Sequence, residues 1–514
     1  MRVGVRPKAI ARVSAWVGAA LVAVPAARAQ EGEALVVPPP GFSIAPSLSI
    51  QETLTNNRDL TRVPAQADLV TQVIPGLRIN SHTARLDGTL NYSLSALSYA
   101  RAPRLNTVQN YLDTSFIARG WDNHFSMKTV GSIAQQSISA YGVQSGSNDV
   151  VNSNRTQVSN LSVAPTLSGN IAGYADVNLG LDGSLADAKG TALGSYHSYG
   201  GHLSVGGRSG NLGWGVQIRQ QTNDYKLGGR THDLPLVLSA DYYADYDLKL
   251  SLQAGRDRTD ELTGTTQTFG TWGWGVEWHP TDRTDVLLQD DKTFYGRSHM
   301  VTLRHRMRRS VWSYVDTSGI NGNPATLGAN AKPLTLYDLL YNLCLAQGLG
   351  ALTCQQNVQS YFAANPALDS NQQLGGFLAS GTTIQRSQNL SVAVSGLRTT
   401  ITLSAFRTGT RLVNAGAPTG GDLAGNRQVR QDGASLAVSQ KLSPTAALTF
   451  AATELRTLAT SVQPSLQQRI YNLAWTGSLS RFLGYSLGVR HSNYASVITP
   501  YEESAVVGSL SLRY

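Results

Sequence analysis

The sequence predicts an all-β protein: a transmembrane, antiparallel up-and-down β-barrel of about 20–22 strands with one long, partly helical loop insert. Three observations lead there. Apolar and polar residues alternate with period two along nearly the whole 514-residue chain. The first residues read as an export signal, and the connections alternate between tight turns and long polar loops.

The chain opens with Arg2, Arg6, Lys8 and Arg12, then an apolar run from Val13 to Val24, then Ala27-Arg28-Ala29, an A-x-A site for cleavage before Gln30. That run is too short for a permanent helical span, which needs roughly 20 residues. Residues 1–29 are therefore expected to be a signal peptide and 30–514 the barrel. The leader holds five of the 42 Lys and Arg and none of the 33 Asp and Glu, so the remainder carries +4 rather than +9. So small a charge on an exported chain argues against a nucleic-acid partner.

Charged residues make up 15% of the chain, against about 25% in ordinary soluble proteins. After the leader no run of 18 apolar residues occurs; the nearest, Leu334 to Thr353, is broken by Asp338, Asn342 and Gln347. A chain that crosses a membrane without apolar helices must satisfy its backbone between strands, in a barrel without free edges. For an exported protein that means the outer membrane of a Gram-negative cell, with outer-membrane lipid and the barrel-assembly machinery as partners.

Individual strands read clearly. Leu86, Gly88, Leu90, Tyr92, Leu94 and Ala96 form an apolar row for lipid, and Asp87, Thr89, Asn91, Ser93 and Ser95 the opposite row for water. Val177 to Leu185, Leu248 to Ala254, Val392 to Ala405, Leu436 to Leu442 and Leu483 to Val489 repeat the pattern. Ser168-Gly169-Asn170, Ser209-Gly210-Asn211, His279-Pro280-Thr281-Asp282 and Ser395-Gly396 look like the tight turns. Residues 55–66, 140–154, 225–233, 256–267, 413–428, 457–465 and 495–502 look like the long external loops. The count comes to roughly 22, with both termini on the periplasmic side. In the last strand Val506, Gly508, Leu510, Leu512 and Tyr514 share one face, and a terminal aromatic there resembles the assembly signal of such barrels; an ordinary closing strand is the plainer alternative.

Tyr242, Tyr243, Trp272, Trp274, Trp278, Trp312 and Tyr314 cluster near strand ends, as interfacial girdles do; a sugar-stacking platform is the functional rival. A basic side chain facing mid-bilayer costs roughly 2–4 kcal/mol, so Glu277, Arg304, Arg306 and Arg308 are expected to face the lumen or lie at an interface. Residues 321–381 break the alternation. Leu336, Leu339, Leu340 and Leu343 there follow a helical spacing, which predicts a folded lid or plug. The only two cysteines, Cys344 and Cys354, fall in this insert, and an oxidising compartment favours a disulfide between them over a reactive thiol or a metal pair.

No G-x-S-x-G elbow, H-E-x-x-H, phosphate loop or zinc-spaced Cys/His cluster occurs, so neither catalysis nor a cofactor is expected. Asp290 and Asp291, adjacent on a strand, point oppositely and cannot act as a pair. The polar stretch from His279 to Arg309 reads either as a pore lining of both charge signs or as a solvated turn at Arg308 and Arg309 with acids paired to neighbouring strands.

The same stretch carries a family resemblance. Trp274-Gly-Val-Glu-Trp-His-Pro-Thr-Asp-Arg-Thr284, then Phe294-Tyr-Gly-Arg-Ser298 and Leu303-Arg-His-Arg306, resembles the outer-membrane β-barrels associated with the PEP-CTERM and exosortase system. Pro46 to Ile50, Glu52 to Asn57 and Val73 to Gly76 are similar to that family's opening strands. The resemblance implies an envelope-sorting or exopolysaccharide context, with exopolysaccharide or its export proteins as partners and a channel or scaffold as the task. A general or solute-selective porin is the alternative, and an outer-membrane enzyme a third reading.

Overall fold

A computed structural model of the protein describes residues 41–321, 376–413, 420–426 and 428–513. The signal peptide, the helical pattern around Leu336–Leu343, the Cys344–Cys354 pair and Tyr514 lie outside the described residues.

Twenty-two strands follow one another. They begin with β1 (Phe42–Thr55), β2 (Asp68–His82), β3 (Leu86–Tyr99), β4 (Thr107–Gly120), β5 (Phe125–Ser137), β6 (Arg155–Ile171), β7 (Ala175–Ala188) and β8 (Tyr196–Ser209). The chain continues through β9 (Leu212–Tyr225), β10 (Gly229–Tyr243), β11 (Leu248–Thr259), β12 (Gln267–Thr281), β13 (Thr284–Thr293), β14 (Gly296–Arg306) and β15 (Ser310–Asn321). It ends with β16 (Thr383–Ser395), β17 (Thr399–Leu412), β18 (Val429–Ser443), β19 (Ala446–Thr457), β20 (Leu466–Ser478), β21 (Leu483–Ala495) and β22 (Tyr501–Arg513). Each pairs antiparallel with its sequence neighbours. β1 also pairs with β22, from Ser47 opposite Arg513 to Thr55 opposite Ala505, which closes the barrel and removes both edges.

Period two sorts every strand into an outer and an inner row. On β12 the outer row is Trp272, Trp274, Val276 and Trp278, while Gly273 and Gly275 face inward and are buried. On β22 Val506, Leu510 and Leu512 stand about half exposed on the outside, and Tyr501, Glu503 and Ala505 are buried inside. An apolar outer surface around a fully hydrogen-bonded wall is the arrangement a bilayer demands. Tyr242 is on the outer row, but Tyr243 is not. It points inward beneath the Arg208 guanidinium, 3.8 Å from the ring centroid, because adjacent strand residues face opposite ways.

Connections at the barrel end holding the start of β1 and the end of β22 are all short, from residues 83–85 to 479–482. The first hairpin of the expected tight set turns at 172–174 rather than at Ser168–Asn170, which remain paired in β6. Ala172 and Gly173 supply the positive φ that the reversal needs.

At the opposite end most connections are longer: 56–67, 138–154, 413–428 and the insert before β16. Two are tight there as well. The expected loop 225–233 is a three-residue turn, residues 226–228, and Phe294–Tyr295 closes β13 onto β14. Gly229, at φ +78°, turns the chain, and Arg230 to Asp233 pair with β9 as strand. Their polarity is that of strand rising beyond the bilayer, which alternation alone does not distinguish from loop.

Candidate functional site

The barrel interior has two unlike walls. From β16 to β20 the inner rows are uncharged and, Phe406 apart, small through the middle of the wall: Ser387, Asn389 and Ser391, then Thr402 and Ser404, Ser435 and Ser439, Thr449 and Ala451, Asn472 and Thr476. From β9 to β14 the inner rows carry charge of both signs. Arg219, Asp233 and Asp257 stand nearer the long-loop end; Asp241, Lys249, Glu277, Asp285, Arg304 and Arg306 stand nearer the tight-turn end.

Glu277, Arg304 and Arg306 therefore share the inner face. His279 lies 3.9 Å from Glu277 and 3.8 Å from Asp285, Asp285 sits opposite Arg304 in the ladder, and Arg306 donates to the Asp282 carbonyl at 2.8 Å. Arg308 and Arg309 belong to the turn between β14 and β15. Asp290 and Asp291 part as strand geometry requires. Asp290 faces outward to Arg297, and Asp291 faces inward and accepts from Gln253 and Gln289.

The long-loop mouth is crossed by two segments. Residues 138–154, between β5 and β6, reach the wall at β19, eight strands away around the barrel. There Tyr141 donates its hydroxyl to the Leu458 carbonyl at 3.0 Å, and Thr457 donates to the Ala140 carbonyl at 3.1 Å. Tyr494 donates to the Gly142 carbonyl at 2.8 Å, and Tyr501 donates to that of Gln144. Gly146 passes so close to β20 that a Cβ would lie 2.6 Å from Ile470 Cδ1, so any side chain there must push Ile470 aside. Leu60, Val150, Leu466, Tyr494 and Tyr501 pack together beneath the loop.

At the end of the reach sits a buried ion triad. Arg490 on β21 donates to Asp149 of the loop at 3.1 and 3.3 Å and to Glu503 on β22 at 2.8 and 3.2 Å. Thr53 completes Asp149 at 2.8 Å and Thr55 completes Glu503 at 2.9 Å. Burial alone pushes the Asp149 carboxyl up. The Arg490 guanidinium, helped by the hydroxyls of Ser147 and Thr53, outweighs that and holds it below its ordinary value.

Residues 376–382 enter from the β16 side and meet the first segment at its root beside β5. Leu378 donates its N–H to the Ile138 carbonyl at 3.3 Å and packs on Val158 and Ala188. Thr382 donates to Glu261, a loop carboxyl pushed up to about 7 by burial despite the hydroxyls of Thr382 and Thr231. Residues 420–426 brace the crossing: Asp422 accepts from the Ser139 hydroxyl at 2.7 Å and the Ala140 N–H at 2.6 Å, and Leu423 packs against Ala140 and Val429.

The sequence reading singled out none of Asp149, Arg490, Glu503 or Asp422. Arg490 and Asp149 are 341 residues apart, and no local pattern links them. One signal was available: Arg490, Tyr494, Tyr501 and Glu503 occupy inner-row positions that are small or neutral on β16 to β20.

No protein-family model matches the chain, and no curated protein matches it in sequence. Among solved structures, similarity extends to the FrpB iron transporter from Neisseria meningitidis, at 10% identity and a TM-score of 0.46, covering 91% of this chain and 81% of that one. The siderophore receptor PirA from Pseudomonas aeruginosa matches at 8% identity and 0.37, covering 92% and 80%. OccK2 (OpdF) of the same organism, solved with glucuronate, matches at 9% and 0.34, covering 91% and 98%. None of these scores reaches 0.5, so the fold assignment rests on the strand pairings themselves.

Proposed function

We propose that the protein is an outer-membrane channel, closed at its external mouth by residues 138–154 and opened when that segment leaves its seat. The observation that carries this reading is the grip of Arg490 on Asp149, six strands around the barrel from β5, where the loop begins. A loop needed only to join β5 to β6 has no need to reach a buried charge on β21. The charged rows of β9 to β14 and the hydroxyl and amide rows of β16 to β20 suit passage of a hydrophilic cargo. The resemblance of residues 274–306 to barrels of the PEP-CTERM system supports surface polysaccharide as that cargo, with a transport or anchoring task rather than catalysis. The second reading, a solute-selective porin, is favoured by the same seated loop, since a crossed mouth narrows a pore for small solutes as readily as it shuts one.

Deletion of residues 142–150 tests the channel. In planar bilayers the wild-type barrel is expected to conduct little and the deleted barrel to conduct in large, steady steps; equal conductance refutes closure by this loop. A chromosomal deletion that leaves surface polysaccharide unchanged in amount and attachment refutes the polysaccharide cargo and leaves the porin.

A further inference from the structure

The outer surface just above the apolar rows of β16 to β20 is strongly basic on one flank. Arg386, Arg407, Arg411, Arg430, Arg456 and Arg469 all lie on outer rows at the long-loop end and are exposed. They are near neighbours across five consecutive strands: Arg430 opposes Gly409, between Arg407 and Arg411, and Arg456 opposes Asp432, the partner of Arg407. Three are matched by acids, Arg386 by Asp316 at 2.9 Å, Arg407 by Asp432 at 2.9 Å and Arg469 by Glu454 at 3.3 Å. Arg411, Arg430 and Arg456 have no carboxylate within ion-pair distance among the described residues. Toward the tight-turn end the same rows become apolar at once: Leu390 and Val392, Leu403 and Ile401, Leu436 and Val438, Phe450 and Leu448, Leu473 and Trp475.

Beside this belt the outer wall is concave. A groove of about 590 Å³ over β19 to β22 and β1 is lined on its outer face by Phe450, Tyr471, Leu473, Val489, Val506 and Leu54, with His491 and Ser504 at its upper edge. Tyr471 stands one outer-row position from Arg469, so the groove runs into the belt.

We infer that this flank binds a phosphate-bearing lipid of the external leaflet, its anionic headgroup on the unmatched arginines and an acyl chain in the groove. Charge complementarity commits the surface to this occupant. Guanidinium groups pair bidentately with phosphate, and they stand at the level where a headgroup meets the acyl region. A second copy of the chain would bring the same basic belt, or an apolar face without phosphate, and would leave the three arginines unanswered.

The test uses the full barrel in nanodiscs of phosphatidylcholine, titrated with phosphatidylglycerol and read by native mass spectrometry and thermal shift. At roughly fivefold in affinity per arginine near a membrane surface, the triple variant Arg411→Gln, Arg430→Gln, Arg456→Gln is expected to bind the anionic lipid about 100-fold more weakly. The triple lysine variant keeps most of the binding, which separates charge from any loss of fold. Val489→Trp, which fills the groove, weakens long-chain phosphatidylglycerol but not a short-chain, water-soluble analogue. Equal affinity for the zwitterionic lipid, an unchanged triple glutamine variant, or a full thermal shift from inorganic phosphate alone overturns the inference. So does a wild-type dimer that Val489→Trp dissociates, because a second copy would then hold the groove.

Discussion

Replacing Arg490 with glutamine should unseat the 138–154 loop without unfolding the barrel. The guanidinium makes four contacts, two to Asp149 and two to Glu503, and both carboxylates are 2% exposed. Glutamine cannot reach both and carries no charge, so two buried carboxylates would face one another. Removing one partner of a buried pair costs about 3–5 kcal/mol. The lower end applies here, since lumen water reaches the released loop, and about 3 kcal/mol shifts the seated-to-released ratio by more than 100-fold. The ladders of β21 with β20 and β22 make no use of the side chain, so heat-resistant barrel migration on gels should persist. The assay pairs single-channel conductance with chymotrypsin cleavage after Tyr141 in 138–154. Arg490→Gln should conduct in large steps and be cut there, while the wild type does neither. Acid offers an independent arm. A carboxyl held below its ordinary value stabilises the seat above about pH 4 and loses that contribution as pH falls through its folded value. Wild-type closure should therefore hold from pH 7 to 5 and fail only in stronger acid. Conductance and protease resistance identical to wild type would refute the seat as the gate.

Gly146→Val should unseat the same loop sterically, since its side chain would collide with Ile470, at a cost of roughly 1–3 kcal/mol; unchanged protease resistance speaks against the close approach. Glu261 titrates in the opposite sense to Asp149. Burial raises its folded value to about 7, so its buried seat is fully stable below about pH 4.5 and is destabilised as pH rises through 7, although the Thr382 hydroxyl favours the charged form. The protection factors of residues 376–382, which correct exchange for its intrinsic rise with pH, should therefore fall between pH 5 and 8 in the wild type and stay level in Glu261→Gln. Glu52 stands on the outer row between Ile50 and Leu54, held by the Thr71 hydroxyl at 3.0 Å. Glu52→Leu should raise the unfolding free energy by about 1 kcal/mol, less than a basic residue would cost at mid-bilayer; equilibrium unfolding in lipid vesicles measures it, and a loss of stability would mean that the Thr71 hydrogen bond outweighs the carboxyl's cost on the outer face.

What could be seen in the sequence and what could not divide along one physical line. Strand number, closure and the facing of most side chains depend on period-two patterning, which is local: the Leu86–Ala96 row predicts its own outward face without knowing what lies opposite. Even the miss at 225–233 is of this kind, because Arg230 and His232 are polar whether they sit in a loop or in strand that has risen clear of lipid. The gate follows a different logic. Asp149 lies in a segment of Ser, Gly, Asn and Val that could equally face solvent, and its destination is set by an arginine 341 residues later. Loop direction is decided by what a distant stretch of wall offers, and that stretch is built largely from strands at the far end of the chain. Yet the wall announces itself. A lumen that only needs to be wet can be lined by uncharged, mostly small residues, as the middle of β16 to β20 is, whereas Arg490, Tyr494, Tyr501 and Glu503 crowd charge and bulk together into inner-row positions of one hairpin. Such side chains are costly to bury unanswered, so their presence together on the inner row already implies that something enters to meet them. The sequence cannot say which loop it is; the register between β1, β21 and β22 brings Thr53, Arg490 and Glu503 together, and the chord across to β5 leaves the 138–154 loop as the segment that reaches them.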